Sequence, residues 1–204
     1  MPKIKLTKTE LKAQSDALKR FQRFLPMLQL KKQQLQAEIA VIDARIDEVN
    51  AREQDVRSSL AGWVKLFSLE DERLAKLVVF RRAVTDTSNI AGVTIPVYKG
   101  IEAETADLDL FDTPAWFDDA EALLKTVLEL KAERTVLEAQ RELVTQELQM
   151  TSQRVNLFEK VKIPECRENI RLIKIAIGDA QTASVTRGKI AKGRSAKRRE
   201  EEAA

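Results

Sequence analysis

From Leu11 onward, the first part of the chain places apolar residues at alternating intervals of three and four. Written as a heptad with Leu11 at a, the a slots are Leu11, Leu18, Leu25, Lys32, Ile39, Ile46, Glu53, Leu60, Phe67 and Leu74. The d slots are Gln14, Phe21, Leu28, Leu35, Ile42, Val49, Val56, Trp63, Glu70 and Leu77. Sixteen of these twenty are apolar, a match sustained over ten heptads where three or four already argue for a coiled coil. The pattern predicts one helix from about Thr7 to Phe80, broken in sequence only by Pro26 and Gly62. Thr7 or Thr9 can serve as N-cap, and Glu10, three residues beyond Thr7, matches a capping box.

A second helix is predicted from about Ala115 to Ile177. Its a slots are Trp116, Leu123, Leu130, Leu137, Val144, Thr151 and Phe158, and its d slots are Ala120, Val127, Arg134, Arg141, Leu148, Val155 and Lys162. Ten of the fourteen are apolar, so this seam is present but more polar than the first. Pro164 is expected to bend or interrupt the helix, because proline lacks the N–H and crowds the preceding turn. Ile170, Ile173 and Ile177 resume an apolar face, and Gly178 is a natural stop.

Between these helices, residues 81–114 lose the period. Val93-Thr-Ile-Pro-Val-Tyr98 is β-branched and alternating, which predicts a short strand or hairpin, with Pro96 confining it to an edge. Neither seam can be buried alone, so the second helix must return along the first. The expected fold is all-α: a long antiparallel two-helix coiled coil, or helical hairpin, with a short non-helical connector. A helix of about 74 residues would span roughly 110 Å at 1.5 Å per residue, so residues 1–204 read as a single rod-like domain. Residues 178–204 read as a basic, solvated and disordered tail.

In an antiparallel pair, facing residue numbers sum to a constant, and two sums compete. A sum near 194 sets Phe67 against Val127, Ile46 against Leu148 and Ile39 against Val155, with Glu53 opposite Arg141. One heptad less pairs Glu53 with Arg134 but sets Ile46 against Arg141, so the first register is the expected one. Lys32, Glu53, Arg134 and Arg141 then either reach out to solvent or fix that register. Trp63 and Trp116 read as core residues near the connector.

Composition changes the picture in one direction. The chain has six glycines, five prolines and 33% charged residues, the signature of long helices rather than a compact enzyme. It has no histidine, which removes the usual acid/base group. The single cysteine, Cys166, excludes an internal disulfide or a multi-cysteine metal site and reads as inert. No GxxxxGK[ST] loop is present. Asp107, Asp109 and Asp112 are spaced like hard-metal ligands but lack the rest of a calcium loop. No catalytic residue, cofactor or metal ligand is therefore expected.

Charge divides along the hairpin. The first 23 residues carry seven Lys/Arg against two acids, and Arg187 to Arg199 carries seven against none. Asp86 to Glu121 carries nine acids against one base, so the two ends suit different partners. The basic tail could neutralise phosphates, but it has no aromatic for base stacking and Glu200-Glu-Glu202 follows it directly. A nucleic-acid role and a free-standing coiled-coil tether are the competing readings. Apolar runs fall far short of the roughly 20 residues that cross a bilayer, so no direct membrane insertion is expected.

Local motifs narrow the class. Thr151-Ser-Gln-Arg-Val-Asn-Leu-Phe-Glu-Lys-Val-Lys-Ile-Pro164 resembles the closing signature of the D subunits of V/A-type rotary ATPases, where an RVN segment runs into a proline and a short helix. Asn89-Ile-Ala-Gly-Val-Thr-Ile-Pro96 is similar to that family's connector, and Met27-Leu-Gln-Leu-Lys-Lys-Gln-Gln-Leu35 to its leucine-lysine run. The chain departs from the pattern at Pro26, at Gln29 and in the tail after Gly178. The resemblance implies a non-catalytic rotor shaft, cytoplasmic and peripheral to the membrane. Its implied partners are the catalytic A and B subunits, the small F subunit and a membrane-ring adaptor. It marks Asn89, Gly92, Pro96, Arg154, Val155, Asn156 and Pro164 as signature and interface positions.

Overall fold

A computed structural model describes residues 4–60, 77–105 and 116–202. Helix α1 spans Lys8–Leu60, strands β1 and β2 span Val78–Ile90 and Val93–Thr105, and helix α2 spans Phe117–Leu157. A π-helical turn, Phe158–Lys162, leads into α3, Ile163–Glu202. The fold is a helical hairpin joined through a small two-stranded antiparallel sheet. The chain divides into two compact units, residues 31–151 and residues 1–30 with 152–204.

In the unit of residues 31–151, the predicted seam is the core. Leu35, Ile42 and Val49, consecutive d slots of α1, are 0%, 2% and 0% exposed. Facing them on α2 are the buried a slots Leu130, Leu137, Val144 and Thr151. The register differs from the expected one. Arg134 Nη1 lies 3.1 Å from Glu53 Oε2, a sum of 187 rather than 194, so the seam is one heptad shorter. Arg141 keeps the slot opposite Ile46 but does not bring its charge there. Its guanidinium turns out to Asp43 at 2.6 Å, half exposed, and Ile46 joins Val49, Leu130 and Leu137 instead. A long arginine can leave a seam slot while its stem still covers apolar surface.

The connector is larger than expected. Each strand has thirteen residues, and Val78 to Phe80, assigned by the heptad to the end of the first helix, are strand. β-Branched and aromatic side chains there favour a pleated surface. The seam slots Trp63, Phe67, Glu70 and Leu74, with Gly62 and Asp107, Asp109 and Asp112, lie outside the described residues. Leu77, Phe117 and Ala120 form a separate small core where the sheet leaves and α2 begins. Trp116 is half-buried against Phe117, with ring centroids 4.6 Å apart.

The hairpin also folds back, rather than standing at the turning end. Ile95, 3% exposed, packs with Leu35, Ile42 and Val144, and Ile90, Ala91 and Val93 pack around them. Ile42 lies eighteen residues, about 27 Å, from the end of α1 at Leu60. A second face of α2, Ala132, Val136 and Gln140, is buried at a spacing of four, and it faces the sheet rather than α1.

In the unit of residues 1–30 and 152–204, Thr7 caps α1, its Oγ1 accepting from the Glu10 N–H at 3.3 Å. Phe21 and Phe158 pair with ring centroids 4.9 Å apart, and Asn169 Nδ2 donates to Gln14 Oε1 at 3.5 Å. Val155, Ile163, Cys166, Asn169 and Ile173 are buried, whereas no residue of α1 from Lys8 to Leu30 is fully buried. The helix passes through Gly178 to Glu202, so the expected stop at Gly178 is corrected. Each of Gly178, Gly188 and Gly193 costs only about 1 kcal/mol in a helix, and the Ala, Lys, Arg and Gln around them are strong helix formers.

Candidate functional site

Two places gather the residues marked by the sequence. The first is the hairpin tip, where Ala91 and Gly92 have φ of 50° and 85°. A two-residue loop with positive φ at both central positions matches the right-handed twist of the strands it joins. Gly92 adopts this freely, while Ala91 does so at a cost of roughly 1–2 kcal/mol. The alanine methyl has a use, because it packs on the helical core where a glycine or asparagine would add no apolar surface. Asn89 closes the turn, its Oδ1 accepting from the Gly92 N–H at 2.9 Å.

Pro96 sits opposite Thr87 in the ladder. Its carbonyl accepts from Gln140 Nε2 at 2.5 Å, so it points away from β1 and toward α2. In an antiparallel strand the N and C=O of one residue point the same way. The missing N–H of Pro96 therefore faces outward, and no ladder bond is lost. Asn89, Gly92 and Pro96 are thus brought together as the parts that shape and dock the tip.

Salt-bridged pairs line the outer face of the sheet. Arg82 forms a two-bond fork to Glu102 at 2.7 and 2.8 Å, and Arg81 reaches Glu104 at 2.6 Å. These hydrogen bonds hold both carboxyls below the usual carboxylate range. Tyr98 lies beneath, on the side of Glu129 and Glu133. Burial first, and then those two carboxylates, push its hydroxyl above its ordinary value.

The second place is the closing motif. Val155 is buried in the seam, while Arg154 and Asn156 on either side of it are exposed. Pro164 is exposed just beyond the π-turn, in which the Ile163 N–H donates to the Phe158 carbonyl five residues back. The helix is not broken at Pro164; the extra residue of the π-turn takes up the crowding that its ring causes. Cys166, one turn on, is buried, and burial followed by the Glu165 carboxylate raises its thiol, with Lys162 opposing.

Sequence reasoning missed the docking face of α2. The signal was present in Leu128, Ala132 and Val136, apolar residues every four positions off the seam, continued by Gln140. It also missed Asp43 as the partner of Arg141. Among the described residues no group of three or more His, Cys, Asp or Glu could hold a metal ion. No described helix is long and apolar enough to cross a membrane.

A coiled coil entered by a docked β-hairpin and closed by a π-turn before proline is a specific combination. Residues 10–193 match the model of the family described as the ATP synthase D subunit. The chain belongs to the ATP synthase D subunit family. It is 46% identical over 192 residues to the V-type ATP synthase D subunit of Borreliella burgdorferi, covering 94% of this chain and 95% of that protein. It is 31% identical over 200 residues to the V-type ATP synthase D subunit of Chlamydia caviae, covering 97% and 96%. The protein of the same name from Chlamydia trachomatis serovar L2 is 33% identical over 194 residues, covering 93% and 94%. As a member of this family, the chain is an accessory component of a V/A-type ATPase and associates with the other subunits of that complex.

Proposed function

We propose that this chain is the central rotor shaft of its V/A-type ATPase, carrying torque between the catalytic A/B hexamer and the membrane ring. In this reading it couples ATP synthesis or hydrolysis to the movement of protons or sodium ions, and performs no chemistry itself. The observation that carries the proposal is the seam of α1 and α2. Residues far apart in sequence are clamped by Leu35, Ile42, Val49, Leu137 and Val144, with ion pairs from Lys31 to Glu147 and from Glu53 to Arg134. Two helices joined along their length resist twisting better than either alone.

The basic stretch from Arg187 to Arg199 is then the part that enters the catalytic hexamer. It carries Arg187, Arg194 and Arg198 along one face of α3. Arg154 and Asn156, exposed beside buried Val155, make contact with partner subunits, as does Pro164, and the hairpin of Asn89, Gly92 and Pro96 faces the small F subunit or the ring adaptor. The test is rotation. A reporter attached to this chain in an immobilised A/B hexamer turns when ATP is added. A disulfide engineered between Arg194→Cys and the hexamer stops both turning and hydrolysis until it is reduced. Full ATPase activity with the disulfide closed rejects the shaft. Calorimetry on the isolated chain gives no stoichiometric nucleotide binding if the non-catalytic part is correct.

A further inference from the structure

We infer that the shaft has a compliant joint, centred on the Phe21–Phe158 pair and bounded by Pro26 and Pro164. Both bounds lie in the unit of residues 1–30 and 152–204. Each proline removes one rung of helical hydrogen bonding. In α1 the Gln22 carbonyl receives no donor from residue 26, four positions on. In the other helix the Ile163 N–H is already spent on Phe158, five residues back, and the next donor position is Pro164.

These two gaps flank one contact. The α1 gap runs from Pro26 back to Gln22, next to Phe21, and the other lies at Pro164, where the π-turn that begins at Phe158 ends. Phe21 and Phe158 touch, with centroids 4.9 Å apart. In an antiparallel pair, Pro26 lies about 7.5 Å to one side of that contact and Pro164 about 9 Å to the opposite side. Within roughly 16 Å of the hairpin, each helix therefore carries one missing rung.

Packing compensates only in part, through buried Val155 and Ile163. Phe21, Leu25 and Phe158 are only half-buried, and Phe24, Met27, Leu157 and Val161 are 48%, 60%, 43% and 48% exposed. In the other unit, the seam around Leu35, Ile42 and Val49 is closed and its helices are free of proline. Bending and untwisting therefore concentrate in the joint. A π-turn can also trade its extra residue with the α-helix on either side by exchanging one hydrogen bond at a time, which gives the joint a low-cost motion. Its use as an elastic element of a rotor rests on the shaft reading; its existence does not.

The experiment is amide hydrogen exchange on the full-length chain, alone and within the assembled ATPase. Amides of residues 22–25 and 159–163 are expected to exchange at least about tenfold faster than those of residues 39–53 and 137–148. The double variant Pro26→Ala/Pro164→Ala supplies the missing donors, and is expected to bring the joint within about threefold of the seam. Equal protection in the unmodified chain overturns the joint. So does fast exchange that the double variant leaves unchanged. In the rotating complex, the double variant is expected to narrow the angular fluctuation of a reporter on the paused shaft. If nothing rotates while the exchange contrast persists, the shaft reading fails and the joint stands.

Discussion

Replacing Arg134 by methionine removes one guanidinium from a carboxylate that has almost no contact with water. The Glu53 side chain is 5% exposed, with Arg57 Nη2 at 2.6 Å on one oxygen and Arg134 Nη1 at 3.1 Å on the other. At 3.1 Å, with an effective dielectric constant of 20, the gross attraction is about 5 kcal/mol, and desolvation offsets most of it. Arg57 stays in Arg134→Met, so the buried charge is not orphaned, and methionine preserves the apolar stem. The expected loss is about 1.5 kcal/mol, the low end for a hydrogen bond to a charged group. Glu53→Leu with Arg134→Met removes the charges on both sides and completes the apolar seam. That double variant is expected to equal or exceed the parent by about 1 kcal/mol, since apolar replacement of a buried pair is often neutral or stabilising. Urea denaturation followed by helical circular dichroism gives both values. An Arg134→Met variant as stable as the parent, or a double variant below the single, refutes the reasoning.

At the hairpin tip, Ala91→Val forces a β-branched residue into positive φ, and the stability of the hairpin drops by about 2 kcal/mol. Ala91→Gly relieves the turn while losing one packed methyl, and stays within about 0.5 kcal/mol of the parent; exchange rates of the residue 90–96 amides report both. Gln140→Leu leaves the Pro96 carbonyl without its donor and costs about 1–2 kcal/mol, measured by the same exchange. The Cys166 thiol ionises above its ordinary range when folded, so alkylation near neutral pH is slow until the chain unfolds. Because the unfolded thiol loses its proton first, stability falls as pH rises past the ordinary thiol value; denaturation midpoints on either side of that value give the sign.

The seam was legible because burial along a coiled coil follows period alone. The d slots Leu35, Ile42 and Val49 needed no tertiary information to be placed. The extent of the sheet was not legible, because Leu77 fits the heptad and Val78 to Phe80 are apolar under either reading. What favours strand there is pairing with residues 103–105, a partner some twenty-five positions away. The docking site of the hairpin was hidden for a related reason. Ala132 and Val136 are ordinary helix residues until Phe80 and Ala83 arrive beside them. Of the marked residues, the turn at Asn89–Gly92 followed from its chemistry, whereas the part played by Pro96 depended on Gln140 across the fold.

The register shows where a slot-by-slot reading breaks down. Setting Ile46 opposite Arg141 looked costly because each residue was treated as fixed in its slot. Arginine has a long apolar stem and a head that seeks a carboxylate, so its slot constrains the Cα and not the charge. Asp43 lies off the seam, one turn before Ile46, and captures that head at 2.6 Å. Glu53 is shorter and cannot reach water from the same depth, so the partner had to come to it. Arg57 does so from the same helix, and from the facing helix Arg134 does so in the observed register while Val49 still meets Leu137. The shorter, more deeply buried charge thus selected the alignment, and the longer one adapted. The same asymmetry predicts that Arg141→Leu leaves the register unchanged, whereas Glu53→Leu weakens its specification. Cysteine pairs at 49 and 137, in a Cys166→Ser background, check this: crosslinking that persists in Arg141→Leu and becomes heterogeneous in Glu53→Leu assigns the alignment to Glu53.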